Sequence, residues 1–153
     1  MSQTSTVINS TQIALVDRFI LTQVAESTLV FPAAWVAEII RIDRSQILDL
    51  PFYHPLLIGI INYQSQVMPL IAAAKFLKTS ELFVIKERLI VIRLNQAAGE
   101  LANIAVIVDR AIGASTRNEL PFELFERSNI TSKMVLMCPE LIPSNLWQPQ
   151  RWH

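Results

Sequence analysis

The chain has 153 residues, of which 52% are hydrophobic and only 17% are charged, and its 13 basic residues balance its 13 acidic ones. This length fits a single domain, and a neutral chain without a basic run argues against nucleic-acid binding. The excess of apolar residues predicts a large core, an apolar surface covered by a partner, or both. The start has no signal-peptide pattern, and the apolar runs are shorter than the roughly 18 residues of a membrane span. We therefore expect a cytoplasmic protein.

The first third of the chain is predicted to begin with a flexible arm and continue as strands. Residues 1–16 are rich in Ser, Thr and Gln and are assigned to the arm. Residues 18–24 alternate apolar and polar side chains as a strand does. After a polar turn, residues 29–31 return as a second strand that ends at Pro32.

Residues 33–43 allow two interpretations. Pro32 could head a helical turn, whereas the alternation that begins at Trp35 is typical of a strand. We expect one helical turn that leads into a strand. Residues 44–55, which contain two prolines, are predicted to form a loop.

Two apolar runs then flank a polar segment. Residues 57–61 and 67–74 are the apolar runs, and the polar residues 62–66 lie between them, so the pattern predicts two buried strands around a turn. Gly59, inside the first run, indicates a bulge or a close backbone approach. Pro69 cannot donate to a sheet and is expected at an edge or bulge.

The second half of the chain continues with strand patterns. Residues 88–94 and 101–109 are predicted strands joined by a loop that contains glycine. In the second of them, one face is predicted to enter the core and the other to be partly wet. The predicted core face consists of Ala102, Ile104, Val106 and Val108.

The remaining segments are shorter. Residues 111–121 are predicted to be a turn-rich crossover and residues 121–127 one helical turn. Residues 133–138 are predicted to be a last strand, and residues 141–153 a tail that Trp147 anchors. At least seven short strands with frequent turns predict an all-β barrel or sandwich.

The residues that catalysis or metal binding requires do not cluster in this sequence. Three widely separated glycines leave no phosphate-binding loop. His54, His153 and Cys138 have no metal-ligand spacing. We therefore predict that the chain is not an enzyme and has no catalytic residues, cofactor or metal.

The segment from Gly59 to Ile71 resembles the signature of the chemotaxis coupling proteins, the CheW-like family. The family pattern runs roughly Gly-Val-Ile-Asn-Leu-Arg-Gly-x-Val-Val-Pro-Val-Val-Asp-Leu. The identities are Gly59, Asn62 and Pro69, and the apolar matches are Ile60, Ile61, Val67, Leu70 and Ile71. The family's Val-x-Glu-Ile-x-Arg stretch is similar to Val36, Glu38, Ile39 and Arg41. The departures are Gln64 for Arg, Ser65 for Gly and Ala72 for Asp.

The resemblance implies a fold of two small intertwined SH3-like five-stranded β-barrels, with a shared core and short helical turns. It implies the domains 1–16 (arm), 17–143 (CheW-like domain) and 144–153 (tail). It also implies an adaptor that couples the cytoplasmic tip of a chemoreceptor to the regulatory domain of a CheA-type histidine kinase. Such a protein would lie in the cytoplasm and associate with the membrane only through receptor arrays.

The resemblance also implies which residues face partners. They are Val36, Glu38, Ile40, Arg41, Asn62, Tyr63, Gln64, Ser65 and Gln66. The bland interpretation of Glu38 is an exposed strand residue, and that of Asn62 is a turn-stabilising side chain. Val67, Leu70, Ile71, Ile104, Val106 and Val108 are assigned to the core.

Two hypotheses of different classes remain open. The first is the coupling adaptor, in chemotaxis or in a related pathway such as pilus motility or phototaxis. The second is a small β-barrel that binds a small molecule in an inter-barrel groove. The second predicts a pocket of roughly 300 Å³ or more with convergent polar groups.

Overall fold

The computed structural model describes residues 17–80, 82–126 and 133–148. The strands are β1 (Arg18–Val24), β2 (Ser27–Pro32), β3 (Val36–Asp43), β4 (Ile47–Leu48), β5 (Leu57–Tyr63), β6 (Gln66–Ala72), β7 (Arg88–Leu94), β8 (Ala105–Val108), β9 (Arg110–Thr116) and β10 (Met134–Leu136). One α-helical turn, α1, spans Ala73–Phe76. Short 3-10 helices span Ala33–Trp35, Arg44–Gln46, Gln96–Leu101, Arg117–Glu119, Phe122–Phe125 and Pro139–Leu141.

These strands form two sheets, which confirms the predicted all-β fold. The four-stranded sheet has the order β10-β2-β1-β9, and the six-stranded sheet has the order β3-β7-β8-β6-β5-β4. The first sheet takes its strands from the two ends of the described chain and the second from its middle, so the six-stranded sheet is inserted in the sequence between the two pairs of strands of the four-stranded sheet. The predicted arm lies outside the described residues, as does half of the predicted tail, so those domain boundaries stay predictions.

The six-stranded sheet is strongly curved. Strands β3 and β4 lie at its opposite edges, about 24 Å apart if the sheet were flat. However, β3 ends at Asp43 and β4 begins at Ile47, and a chain of that length spans at most about 14 Å. The sheet must therefore curl until its edges approach each other.

Two main clusters of buried side chains lie on the two sides of this curved sheet. The first core, between the sheets, contains Phe31, Ile71, Ile92 and Val106 among others. The second core, enclosed by the six-stranded sheet, contains Ile40, Leu70, Val91 and Ile107 among others. Because β8 is central in this sheet, all its residues are buried. The predicted strand 101–109 is therefore shorter than expected, and its second face is exposed only at Asn103 and Asp109, which lie outside β8.

Bulges direct two strands from one core to the other. The register of β3 shifts between Val36 and Glu38, and the register of β5 shifts between Leu57 and Gly59. A bulge adds one residue and so reverses which side chains face inwards. Accordingly, Leu57 is buried in the first core and Ile61 in the second. The bulge expected at Gly59 is confirmed.

The expected close approach at Gly59 is also confirmed. A Cβ atom at this position would collide with the backbone carbonyl oxygen of Leu48 and lie 2.9 Å from Cγ2 of Ile47. Strand β4 can pair with β5 at this distance because Gly59 has no side chain.

Other sequence predictions need correction. Residues 110–116 form strand β9 instead of a crossover, because they pair with β1 along its length, with one register shift between Leu21 and Thr22. The loop predicted at 44–55 contains the short strand β4. Val67 was assigned to the core but is 63% exposed, since it faces away from the second core. In the tail, the buried anchor is Leu146, whereas Trp147 is 44% exposed.

Candidate functional site

The bulge in β3 determines where Glu38 points. Upstream of the bulge, Val36 packs against the first core, whereas Ile40 lies in the second core. Glu38 is two residues before Ile40 on the same face of the strand, at the rim of the second core. Its side chain is 32% exposed, so the carboxylate is reachable from solvent but is held by protein groups.

The turn between β5 and β6 is a tight two-residue hairpin turn. Gln64 and Ser65 both have positive φ, at 50° and 64°, which is the backbone of a type I′ turn. Such a turn fits the twist of the two flanking strands, but it favours Asn and Gly over other residues. The predicted turn is therefore confirmed, with side chains that strain it.

A polar cluster joins Glu38 to this turn. The hydroxyl of Tyr63 donates to Oε2 of Glu38 at 3.2 Å, and Arg93 donates to Oε1 from Nη2 at 2.8 Å and from Nε at 3.2 Å. Nε2 of Gln64 donates to the Tyr63 oxygen at 3.4 Å. We call Glu38, Tyr63, Gln64 and Arg93 the Glu38 cluster. It connects β3, β7 and the β5–β6 turn.

The environment of Tyr63 favours its neutral hydroxyl. Partial burial raises the pKa of this phenol, and the hydrogen bond to Glu38 and the charge of that carboxylate raise it further, while Arg93 opposes them. Tyr63 therefore acts as a donor, not as an anion, and fixes the position of the turn relative to β3.

The remaining predicted site residues do not all share this surface. Asn62, Ser65 and Gln66 are exposed beside the cluster, at the same hairpin end. Arg41 is exposed on the opposite face of β3 from Glu38. Ile40 is 7% exposed within the second core, so its side chain is not presented to a partner in this structure.

Arg93 is the residue that the sequence interpretation did not identify. It lies in the predicted strand 88–94, and its register partner in β3 is Glu38. Opposite charges on directly paired residues are a common cross-strand pair. The pairing of β3 with β7 was not predicted, and without it nothing in the sequence distinguished Arg93 from other charged strand residues.

Comparison with known proteins then settles the family. The model of the CheW-like domain matches residues 18–129, which is most of the chain. The chain belongs to the CheW-like domain family. The resemblance of the hairpin segment to this family is thereby confirmed.

Solved structures agree on the fold. The chain is similar to the crystal structure of scaffolding protein TtCheW from Thermoanaerobacter tengcongensis, with 18% identity and a TM-score of 0.51. The match covers 65% of this chain and 64% of that chain, and at this identity it shows the fold alone. No curated protein sequence matches the chain.

The structure separates two departures from the CheW-like pattern. Gln64 lies in the turn before β6, and Ala72 is the last residue of β6, about 20 Å further along the strand. An arginine and an aspartate at these positions would be too far apart to form an ion pair within one chain. Ala72 is fully buried in the second core, where an unpaired carboxylate would be costly.

Two hollows in the structure differ in volume. A cavity of about 150 Å³ lies beside the segment before β7, lined by residues that include Phe83, Ile90 and Asp109, and its volume is about half the smallest usual volume of a ligand site. A groove of about 430 Å³ lies between residues 44–49 and 85–87. It exceeds the roughly 300 Å³ of a small ligand site, but its lining comes from segments next to β3, β4 and β7 of the six-stranded sheet and not from both sheets. Among the described residues, no three His, Cys, Asp or Glu side chains group as metal ligands. In the same ranges, no helix is long and apolar enough to cross a membrane.

Proposed function

We propose that this CheW-like protein is a non-enzymatic adaptor that couples the cytoplasmic tip of a chemoreceptor to the regulatory domain of a CheA-type histidine kinase. The observation that carries the proposal is the family match over residues 18–129. The pathway would be chemotaxis or a related system such as pilus motility or phototaxis.

The Glu38 cluster supports a binding role for the hairpin end of the curved sheet. It presents the amide of Gln64 and the partly exposed carboxylate of Glu38 on a backbone that three strands hold in place. Rigidly held polar groups beside exposed residues lose little entropy when a partner binds. Asn62, Ser65 and Gln66 extend the same surface. We assign partner contact to the Glu38 cluster and to these three exposed residues, and we leave out Ile40 because its side chain is buried.

The replacement of the family's turn arginine has a consequence for affinity. Gln64 can donate hydrogen bonds, but it cannot form a charge-assisted pair with a partner carboxylate. Within the chain, the carboxylate of Glu38 already forms an ion pair with Arg93, with Nη2 of Arg93 2.8 Å from Oε1. We infer that the partner surface opposite this turn is uncharged or carries amide and hydroxyl groups.

Co-sedimentation tests the coupling directly. Membranes that contain the chemoreceptor from the same genome are mixed with the CheA-type kinase, with and without this protein, and then pelleted. The proposal predicts that the kinase enters the pellet only when the protein is present. A matched control uses membranes without receptor. Kinase that remains in the supernatant in every mixture, while the folded protein is present, would contradict the coupling role.

A further inference from the structure

A short segment before strand β7 is held at both ends but has an unpaired backbone. On one side of it, the amide of Ser80 donates to Oε2 of Glu26 at 3.1 Å. On the other side, the amide of Arg44 donates to the carbonyl of Glu87 at 2.9 Å. Between these points, no backbone N–H or C=O group of residues 82–86 has a hydrogen-bond partner among the residues that the structure describes. We call residues 82–86 the pre-β7 segment.

Side-chain burial alternates along the pre-β7 segment as it does along a β-strand. Phe83 and Ile85 are partly buried and pack against the second core, whereas Leu82 and Val84 are 88% and 65% exposed. Nζ of Lys75 lies 5.9 Å from the centre of the Phe83 ring, so the inward side is held in place. A segment with this alternation and a free row of backbone groups is a template for the addition of another strand.

A cavity of about 150 Å³ opens beside the pre-β7 segment. Leu82, Phe83 and Val84 line it on one side, and Ile90 and Val108 line it from β7 and β8. A cavity of about 150 Å³ with an apolar lining holds one benzene-sized group. One large apolar side chain, such as that of phenylalanine or leucine, therefore matches this cavity.

The charged residues around the cavity indicate what should flank that side chain. Lys86 and Arg88 line the cavity and are exposed, and neither side chain has a hydrogen bond or ion pair with another described residue. Asp43 lies opposite Arg88 across β3 and β7, but no ion pair joins them. The acidic residue of the lining, Asp109, already accepts a hydrogen bond from the amide of Ala25 at 2.6 Å. The cavity edge is therefore complementary to carboxylates.

We propose that the pre-β7 segment binds an extended, acidic peptide segment of another protein by strand addition. One large apolar side chain of the peptide enters the cavity, and its carboxylates lie beside Lys86 and Arg88. The peptide backbone pairs with the free N–H and C=O groups of the segment, which is how strand-addition partners gain affinity. The same segment of a second copy does not fit, because its one charged side chain is Lys86 and it supplies no carboxylate.

This site is separate from the Glu38 cluster. Glu38 pairs with Arg93, near one end of β7, whereas the pre-β7 segment leads into Arg88 at the other end. Five residues of a strand separate the two arginines, a distance of about 17 Å. The inference therefore does not depend on kinase or receptor binding.

Fluorescence anisotropy of labelled peptides, titrated with the full chain, tests the charge and the cavity. The probes are peptides of about seven residues with phenylalanine, leucine or valine at the centre, between β-branched residues and two glutamates. The best of them should bind with a dissociation constant of roughly 100 µM. Replacing its central residue by alanine, or both glutamates by lysine, should weaken binding by about fivefold or more.

Two protein variants test the same contacts from the other side. Lys86→Glu should weaken the best peptide by about fivefold, whereas the control Arg18→Glu should bind like the wild type. Arg18 is exposed at the start of β1, and the cavity lies beyond the other end of that strand. Ala74→Leu should also weaken binding because Ala74 lines the cavity, and Ala97→Leu, at an exposed position, is its control. Thermal unfolding of each variant confirms that it is folded.

Hydrogen exchange then locates the bound peptide. The amides of residues 82–86 should exchange rapidly in the free protein and become protected when the peptide is added. Amides that are already protected in the free protein overturn the inference, because another part of the chain or a second copy then pairs with the segment. Failure of every probe to bind, equal binding of the glutamate and lysine peptides, or equal weakening by Lys86→Glu and Arg18→Glu also overturns it.

Discussion

The hydroxyl of Tyr63 lies 3.2 Å from Oε2 of Glu38, although their strands are the fifth and the first in the order of the six-stranded sheet. In a flat sheet these strands would lie about 19 Å apart. The curvature of the sheet therefore creates the Glu38 cluster, and the cluster holds the β5–β6 turn against β3. The position of the turn depends on long-range strand pairing more than on the turn sequence.

Titration of Tyr63 tests this contact. In a Tyr53→Phe variant, Tyr63 is the one remaining tyrosine, and its ultraviolet absorbance should titrate above the ordinary tyrosine value of about 10. Burial, the hydrogen bond to Glu38 and the charge of Glu38 all raise this pKa. Adding Glu38→Gln should lower the midpoint.

The same shift has a consequence for stability. The pKa of Tyr63 is higher in the folded than in the unfolded state, so its contribution is complete below the unfolded pKa. It is lost as the pH rises through the folded pKa. In the Tyr53→Phe background, adding Glu38→Gln should make the loss of stability between neutral and alkaline pH smaller, because the folded and unfolded pKa values of Tyr63 then differ less. A titration midpoint of Tyr63 at or below the ordinary tyrosine value would contradict the contact with Glu38.

Replacing Gly59 by any larger residue is expected to lower the stability of the fold. Gly59→Ala places a Cβ against the backbone of Leu48 and should destabilise the fold by about 1–3 kcal/mol. Gly113→Ala is the matched control, because a Cβ at Gly113 meets no atom within 4 Å, and it should change stability by less than about 0.5 kcal/mol. Urea unfolding measures both. Equal effects would contradict the close approach of β4 and β5.

The strain of the hairpin turn should be relieved by glycine. Ser65 has φ 64°, a conformation that costs a non-glycine residue about 1–2 kcal/mol. Glycine avoids this strain but loses more backbone entropy on folding, and that loss offsets part of the gain. Ser65→Gly should therefore stabilise the protein by about 0.5–1 kcal/mol. Ser115→Gly in strand β9, where φ is not positive, should be destabilising instead. If both changes lower the urea midpoint, the turn is not strained.

Asp109 stabilises the turn between β1 and β2. Its Oδ2 accepts a hydrogen bond from the backbone amide of Ala25 at 2.6 Å, and Ala25 has φ 54°. Asp109→Ala should cost about 1 kcal/mol and should speed hydrogen exchange at the Ala25 amide. Asp49→Ala, at an exposed loop carboxylate, serves as the control. Unchanged exchange at Ala25 would show that the turn does not need Asp109.

The comparison of sequence with structure shows which patterns carry information. The β5–β6 hairpin was predictable because two apolar runs and a polar turn specify it locally. Strand β9 was missed because Arg110–Thr116 contains small and polar residues, and all but the last two of its residues are exposed. It is a strand because β1 pairs with it, and that pairing joins residues about ninety positions apart.

The candidate site was only partly predictable for the same reason. Glu38 and the turn residues were found through their resemblance to a family motif, whereas Arg93 is brought to Glu38 by the β3–β7 register. The burial of Ile40 and the exposure of Val67 follow from which side of the curved sheet each residue faces. In a regular strand, successive side chains alternate between the two faces of the sheet, but a bulge reverses which side chains face which way. The bulge in β3 was not visible in the sequence.

The central claim is that the Glu38 cluster and the adjoining turn bind the regulatory domain of a CheA-type kinase. Calorimetric titration of this protein with that domain from the same genome tests it most directly. The account predicts a dissociation constant in the micromolar range that Gln64→Ala and Glu38→Lys both weaken. The controls Gln96→Ala and Glu100→Lys, at exposed positions in the 3-10 helix after β7, should leave it unchanged. No binding by the folded wild type, or equal weakening by the controls, would contradict the claim.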